Sequence, residues 1–185
     1  MRILAVSGSL RESSFNTSLL RAAVEAAPDA VELELWEGLG DLPLYDEDLE
    51  QDVPESVRRL REDWAAADAI LFSTPEYNGS VPGGLKNAID WASRPKLEGV
   101  LRNKTVAVVG ASTGQFGALW AQQDLKRILG IAGARVVGTE IPVARAHERF
   151  DAQGRLLDSE VFEQLRLHLT TLASEAVTAS ERVAA

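Results

Sequence analysis

The chain has 185 residues, 45% of them apolar and 25% charged, the balance of a soluble globular protein and not of a disordered or fibrous one. It has no cysteine, which excludes disulfides, thiolate metal sites, cysteine-ligated iron–sulfur clusters and thiol nucleophiles; its two histidines, His147 and His168, are expected at the surface, and no metal site is expected. A net charge of −9 opposes nucleic acid and anionic membranes at long range, so a bound phosphate must be held by local donors.

The first apolar run, Ile3-Leu4-Ala5-Val6, is broken by Ser7-Gly8-Ser9 and Arg11 before a secretory core would end, and it predicts a buried first strand. No run is long enough to span a membrane, and a cytoplasmic location is the default. Leu20, Ala23, Val24 and Ala27 keep helical spacing. Val31 to Leu35 then alternates apolar and acidic residues, as an edge strand with one solvated face does. The polar stretch from Glu37 to Asp52 is expected to be an ordered surface excursion.

Val57, Leu60 and Trp64 mark a second helix, and Ala69-Ile70-Leu71-Phe72 a buried third strand. A third helix follows with Leu85, Ala88, Ile89 and Ala92, and Trp91 is expected in the core. Val106-Ala107-Val108-Val109 is the fourth strand, Leu125, Ile128, Leu129 and Ala132 the fourth helix, and Arg135-Val136-Val137 the fifth strand. A last helix runs from about Ser159, its expected N-cap, to Ser180, with fraying expected from Thr178 to Ala185.

Strand and helix alternating five times within one domain, 1–185, predict an α/β fold: a five-stranded parallel sheet in flavodoxin-like order 2-1-3-4-5, with helices on both faces. The alternating second strand suits the edge position this order gives it. Ligands in such folds lie at the carboxyl ends of the strands, beside the switch between strands 1 and 3. The loops after Val6, Phe72 and Val109 are therefore the ones that matter.

The first loop is dense in donors for a phosphate monoester. Ser9, Ser14 and Thr17 carry hydroxyls, Asn16 an amide and Arg11 a guanidinium, and the start of the first helix adds free backbone N–H groups. The plainer alternative is that Ser13, Ser14, Asn16 and Thr17 only cap the helix. Gly8 and Arg11 at the end of the first strand favour the anion site. The loop is neither Gly-x-Gly-x-x-Gly nor a P-loop, so a terminal monophosphate is expected rather than a dinucleotide or a triphosphate. The second loop, from Pro75 through Glu76, Tyr77, Asn78 and Gly79 to Ser80, is rigid, polar and suited to the edge of a flat heteroaromatic ring. The third loop, with Ser112, Thr113 and Gly114, opens at the same edge and is placed to reach the ring's pyrimidine end.

On these residues the sequence resembles the NADPH-dependent FMN reductase family, which includes quinone, chromate and azo reductases. The family's Gly-Ser-x-Arg-x-x-Ser-x-Asn pattern is met by Gly8, Ser9, Arg11, Ser14 and Asn16. Its Pro-Glu-Tyr-Asn pattern, followed by Ser-x-Pro-Gly-x-Leu-Lys-Asn-x-Ile-Asp-Trp, is met by Pro75 to Asn78 and by Ser80, Pro82, Gly83, Leu85 to Asn87 and Ile89 to Trp91. The resemblance implies FMN held by Ser9, Arg11, Ser14, Phe15, Asn16 and Thr17, by Pro75, Glu76, Tyr77, Asn78, Gly79 and Ser80, and by Ser112, Thr113 and Gly114. It further implies NADPH or NADH as electron donor, ping-pong hydride transfer, and a small-molecule acceptor such as a quinone, flavin, azo compound or metal oxyanion. A homodimer or homotetramer is implied too. No protein acid, base or nucleophile is required, because the cofactor carries the chemistry. A flavodoxin-type electron carrier without NAD(P)H turnover is the alternative.

Overall fold

A computed structural model describes residues 1–184. The central sheet consists of β1 (Arg2–Ser7), β2 (Glu32–Trp36), β3 (Ala69–Ser73), β4 (Thr105–Ala111) and β5 (Arg135–Val136), all parallel, in the order β2-β1-β3-β4-β5. A sixth strand, β6 (Pro142–Val143), pairs with Gly110 and Ala111 at the carboxyl end of β4. The expected order therefore holds, with one short strand added where the sheet meets the candidate site.

Strand periodicity divides the core in two. Ile3, Ala5, Ala69, Leu71, Ala107 and Val109 face α1 (Phe15–Ala26) and α6 (Ser159–Ala184). Leu4, Val6, Ile70, Phe72, Val106 and Val108 face α2 (Glu55–Ala66), α3 (Gly83–Ala92) and α4 (Leu119–Ile131). Every residue of β3 and β4 is buried, as the near-continuous apolar runs require of strands covered on both faces. On the edge strand β2, Leu33 is buried, Glu32 is exposed and Glu34 pairs with Arg2 at 3.0 Å.

The second core is anchored by Trp64 and Trp91, both with 0% exposure. Trp64 meets Phe72 edge-on at 5.4 Å, and truncating so large a buried ring costs about 3–5 kcal/mol. The excursion after β2 is ordered, with 3-10 turns at Leu39–Asp41 and Glu47–Glu50. It is pinned to α3 by side chains of the second motif. Asn87 accepts from the Tyr45 N–H at 2.7 Å and donates to the Pro43 carbonyl at 2.9 Å, and the Trp91 indole donates to that same carbonyl at 2.9 Å.

Several local expectations are corrected. His168 is buried on α6, 7% exposed, because it lies beside the Leu165, Leu169 and Leu172 stripe; His147 is exposed. The cap of α6 is Asp158, not Ser159: its carboxylate accepts from the N–H groups of Glu160 and Val161 at 3.0 and 3.2 Å. Val24 turns outward on α1, where Leu19, Ala22 and Ala26 take the buried face beside Leu20 and Ala23. The tail expected to fray from Thr178 is helical to Ala184, and Ala185 lies outside the described residues. A short helix, α5 (Ala146–Arg149), follows β6.

Candidate functional site

The three loops converge at the carboxyl ends of β1, β3 and β4. They line a crevice of about 170 Å³ formed by Ser9, Arg11, Ser14 and Phe15 from the first loop, Pro75, Glu76 and Tyr77 from the second, and Ser112 and Thr113 from the third, with Asn16 and Ala111 at its base. Ligand pockets typically measure about 300–1,000 Å³, so this crevice has room for the narrow part of a ligand. Two larger hollows lie elsewhere, about 850 Å³ near the C-terminal end of α6 and about 690 Å³ between α3 and α4. Neither contains the donors of the first loop.

The capping reading of the first loop is met at Ser14. Ser14 is the N-cap of α1, its hydroxyl oxygen accepting from the N–H groups of Asn16 and Thr17 at 3.2 and 3.3 Å. The hydroxyl proton of Ser14 stays free to donate, and so does that of Ser9, whose oxygen accepts weakly from the Arg11 N–H at 3.4 Å. Arg11 is exposed, donates to the Ser13 carbonyl at 2.7 Å and lies over the Phe15 ring at 5.5 Å. It forms no ion pair among the described residues, so its remaining N–H groups face solvent beside a helix N-terminus. Hydroxyls, a guanidinium and a helix start are the donor set a phosphate monoester needs.

Asn16, which lines the crevice, also has a structural role. Its side chain is 3% exposed; Oδ1 accepts from the Ser73 hydroxyl at 2.9 Å and from the Ala111 N–H at 3.0 Å, and Nδ2 donates to the Ala111 carbonyl at 2.9 Å. One amide thus ties α1 to the ends of β3 and β4. Thr17 lies outside the crevice lining, its hydroxyl 2.8 Å from that of Ser7.

In the second loop, Tyr77 to Ser80 forms a tight reversal closed by reciprocal backbone bonds of 3.0 and 3.2 Å. Asn78 and Gly79 have φ of 53° and 75°, the left-handed pair of a type I′ turn, which explains the Asn-Gly dipeptide. Asn78, Gly79 and Ser80 extend beyond the crevice lining; the Ser80 hydroxyl donates to Asp124, whose carboxyl that bond and Arg127 hold below its ordinary range. Glu76 reaches the other way, its carboxylate accepting from the Ala121 N–H in the first turn of α4 at 3.1 Å.

The third loop is fixed from beyond the motifs. The Ser112 and Gly114 carbonyls accept from the N–H groups of Ala146 and Arg145, each at 3.0 Å, and Gly114 stands outside the crevice lining. Buried Gln122 of α4 donates to the Gly117 carbonyl at 3.1 Å and accepts from the Ile141 N–H at 3.0 Å, joining this loop to β6. Gln122, Ala111 and β6 went unmarked in the sequence. Only the placement of Gln122 three residues before Leu125, on the apolar side of its helix, signals its burial.

A parallel sheet of this order, with a donor-lined crevice beside the switch between β1 and β3, defines a flavodoxin-like nucleotide-binding protein. The model of one such family, NADPH-dependent FMN reductase, matches residues 1–148, and the chain belongs to that family. It is accordingly an NAD(P)H-dependent flavin oxidoreductase with FMN as its cofactor. The chain is 42% identical over 174 residues to an NAD(P)H-dependent FMN reductase of Pseudomonas aeruginosa, covering 93% of each chain. It is 36% identical over 174 residues to a quinone reductase of Escherichia coli, covering 92% of each. Among solved structures, the flavoenzyme NAD(P)H:acceptor oxidoreductase FerB of Paracoccus denitrificans superposes with a TM-score of 0.81 at 36% identity, covering 94% of this chain and 97% of that one.

Proposed function

We propose that this chain, acting as one domain, is an NAD(P)H:acceptor reductase that holds the FMN phosphate at Ser9, Arg11 and Ser14 and the flavin ring between the second and third loops. The observation that carries this reading is the meeting of Arg11 and two free hydroxyl protons with the start of α1, at the one sheet edge where all three loops open. When bound, FMN would supply two-electron relay chemistry, by which NAD(P)H, a quinone and a proton yield NAD(P)⁺ and the hydroquinone. The protein's own contribution is positional. Arg11 would offset part of the phosphate charge in an acidic protein, and the Ser14 hydroxyl would donate to it. Glu76 and the Asn78-Gly79 turn fix the second loop, and Asn16 holds the strand ends at one spacing.

Quinones are the acceptor class favoured by the relatives' activity, ahead of flavins, azo compounds and metal oxyanions. A ping-pong order follows from one face serving donor and acceptor in turn. Steady-state NAD(P)H oxidation with FMN-loaded protein and a naphthoquinone tests it: parallel double-reciprocal lines support the scheme, and converging lines contradict it.

We further infer a homodimer or homotetramer. Leu97 and Ile131, 72% and 76% exposed, line the hollow between α3 and α4 and are apolar groups that association would cover. A monomeric mass by sedimentation would contradict this. A cytoplasmic location accords with the activity, and no helix among the described residues is long and apolar enough to cross a membrane.

A further inference from the structure

Three large aromatic side chains of this chain are exposed: Tyr77 lines the crevice, and Phe116 and Trp120 lie outside its lining on segments bonded to it. Tyr77 is 55% exposed, Phe116 46% and Trp120 47%, whereas Trp64 and Trp91 are fully buried. Tyr77 belongs to the second loop. Phe116 follows the third loop, three residues after Thr113 of the crevice lining, and Trp120 lies in the first turn of α4. The rings of Phe116 and Trp120 are 4.7 Å apart and tilted by 50°.

The backbone that carries the pair is tied to the site. Ala121, the residue after Trp120, donates its N–H to Glu76 of the crevice lining at 3.1 Å. Gln122, the next residue, is buried and bonds the Gly117 carbonyl directly after Phe116. The backbone directly after each ring is therefore anchored while the rings are about half exposed. An aromatic pair kept exposed on a rigid support loses little freedom on meeting a flat ligand.

We propose that Phe116 and Trp120 form an aromatic wall beside the crevice mouth against which the planar ring of a quinone acceptor packs. The inference rests on the reductase reading above and adds residues that decide which acceptors are used well. A quinone is neutral, flat and electron-poor, and suits the electron-rich face of an indole. A polyanionic nucleotide suits an apolar wall on a protein of net charge −9 much less well.

The test compares Trp120→Ala, Phe116→Ala and Trp120→Phe with the parent, all FMN-loaded, on 1,4-naphthoquinone and on ferricyanide, which has no flat face to stack. The alanine variants are expected to lose about tenfold in kcat/KM for naphthoquinone through KM, to keep ferricyanide turnover, and to retain FMN as tightly as the parent; Trp120→Phe recovers most of the loss. Apart from turnover, naphthoquinone added to the oxidised protein without nicotinamide quenches tryptophan emission in the parent, and Trp120→Ala removes that quench. Equal losses on both acceptors, an unchanged naphthoquinone KM, or dissociation of the parent's assembly by the alanine variants would overturn the proposal. If the parent itself fails to oxidise NADPH or NADH, the reductase reading falls instead.

Discussion

The side chain of Asn16 grips the backbone of Ala111 at both of its polar groups, accepting the N–H at 3.0 Å and donating to the carbonyl at 2.9 Å across 95 residues of sequence. Because the same Oδ1 also accepts from Ser73, the first helix and the ends of two strands share one buried amide. Asn16→Ala leaves the Ser73 hydroxyl and both Ala111 groups without their partner. A loss of about 3 kcal/mol in urea unfolding is expected, together with weaker FMN binding, since leaving buried polar groups unpaired costs about 1–3 kcal/mol each with partial relaxation. Asn16→Asp keeps the acceptor but cannot donate to the Ala111 carbonyl and adds a negative charge beneath the anion site. It should weaken FMN binding more than Asn16→Ala does.

Arg11 is the contrasting case. It is exposed and unpaired by any carboxylate among the described residues, so Arg11→Ala should leave the free energy of urea unfolding within about 0.5 kcal/mol of the parent. FMN affinity by fluorescence titration should fall about 10- to 100-fold, the scale of a charge-assisted contact to phosphate. An unchanged affinity would remove Arg11 from the site.

Burial on α6, reinforced by the nearby Lys126 cation of α4 and opposed by Glu140, pushes the His168 imidazole down from 6.5 to about 4. Its Nε2 has no hydrogen-bond partner. The unfolded chain therefore takes up this proton first. The stability is fully present above about pH 6.5 and is lost as pH falls toward 4, by about 3 kcal/mol in all. His168→Phe, which keeps a ring in place but cannot titrate, should flatten that part of the stability profile measured by urea unfolding from pH 7 to 4.

Gly138 lies close against the same ring. A Cβ at this position, whose φ is +75°, would stand 2.4 Å from His168 Cε1. Gly138→Ala should cost about 2–3 kcal/mol, part steric and part backbone strain. In a double-mutant cycle with His168→Ala, the steric part alone should be relieved.

The buried strands were legible because β1, β3 and β4 are near-continuous apolar runs, and the edge position of β2 because its acidic residues alternate. The three loops followed from the sheet order, since the fold alone puts their sequences side by side. Contacts between distant segments left weaker traces. β6 is two residues long and begins with Pro142, which has no N–H to donate; only its place along the end of β4 makes it a strand. The three-way bond of Asn16 looks in sequence like one more polar loop residue, because Ser73 and Ala111 lie 57 and 95 positions away. His168 carried a usable signal in its helical spacing beside Leu165 and Leu169, but a histidine in an amphipathic helix reads equally well as a surface residue.

The proposed role of the crevice at the ends of β1, β3 and β4 is to hold FMN for electron transfer from a nicotinamide to a small acceptor. Anaerobic mixing of the FMN-loaded protein with one equivalent of NADPH or NADH, followed by one equivalent of naphthoquinone, tests it most directly. The flavin absorbance is expected to bleach with at least one nicotinamide and to return with the quinone, and Arg11→Ala is expected to give the same cycle only at raised FMN concentration. A flavin that stays oxidised with both nicotinamides would contradict it.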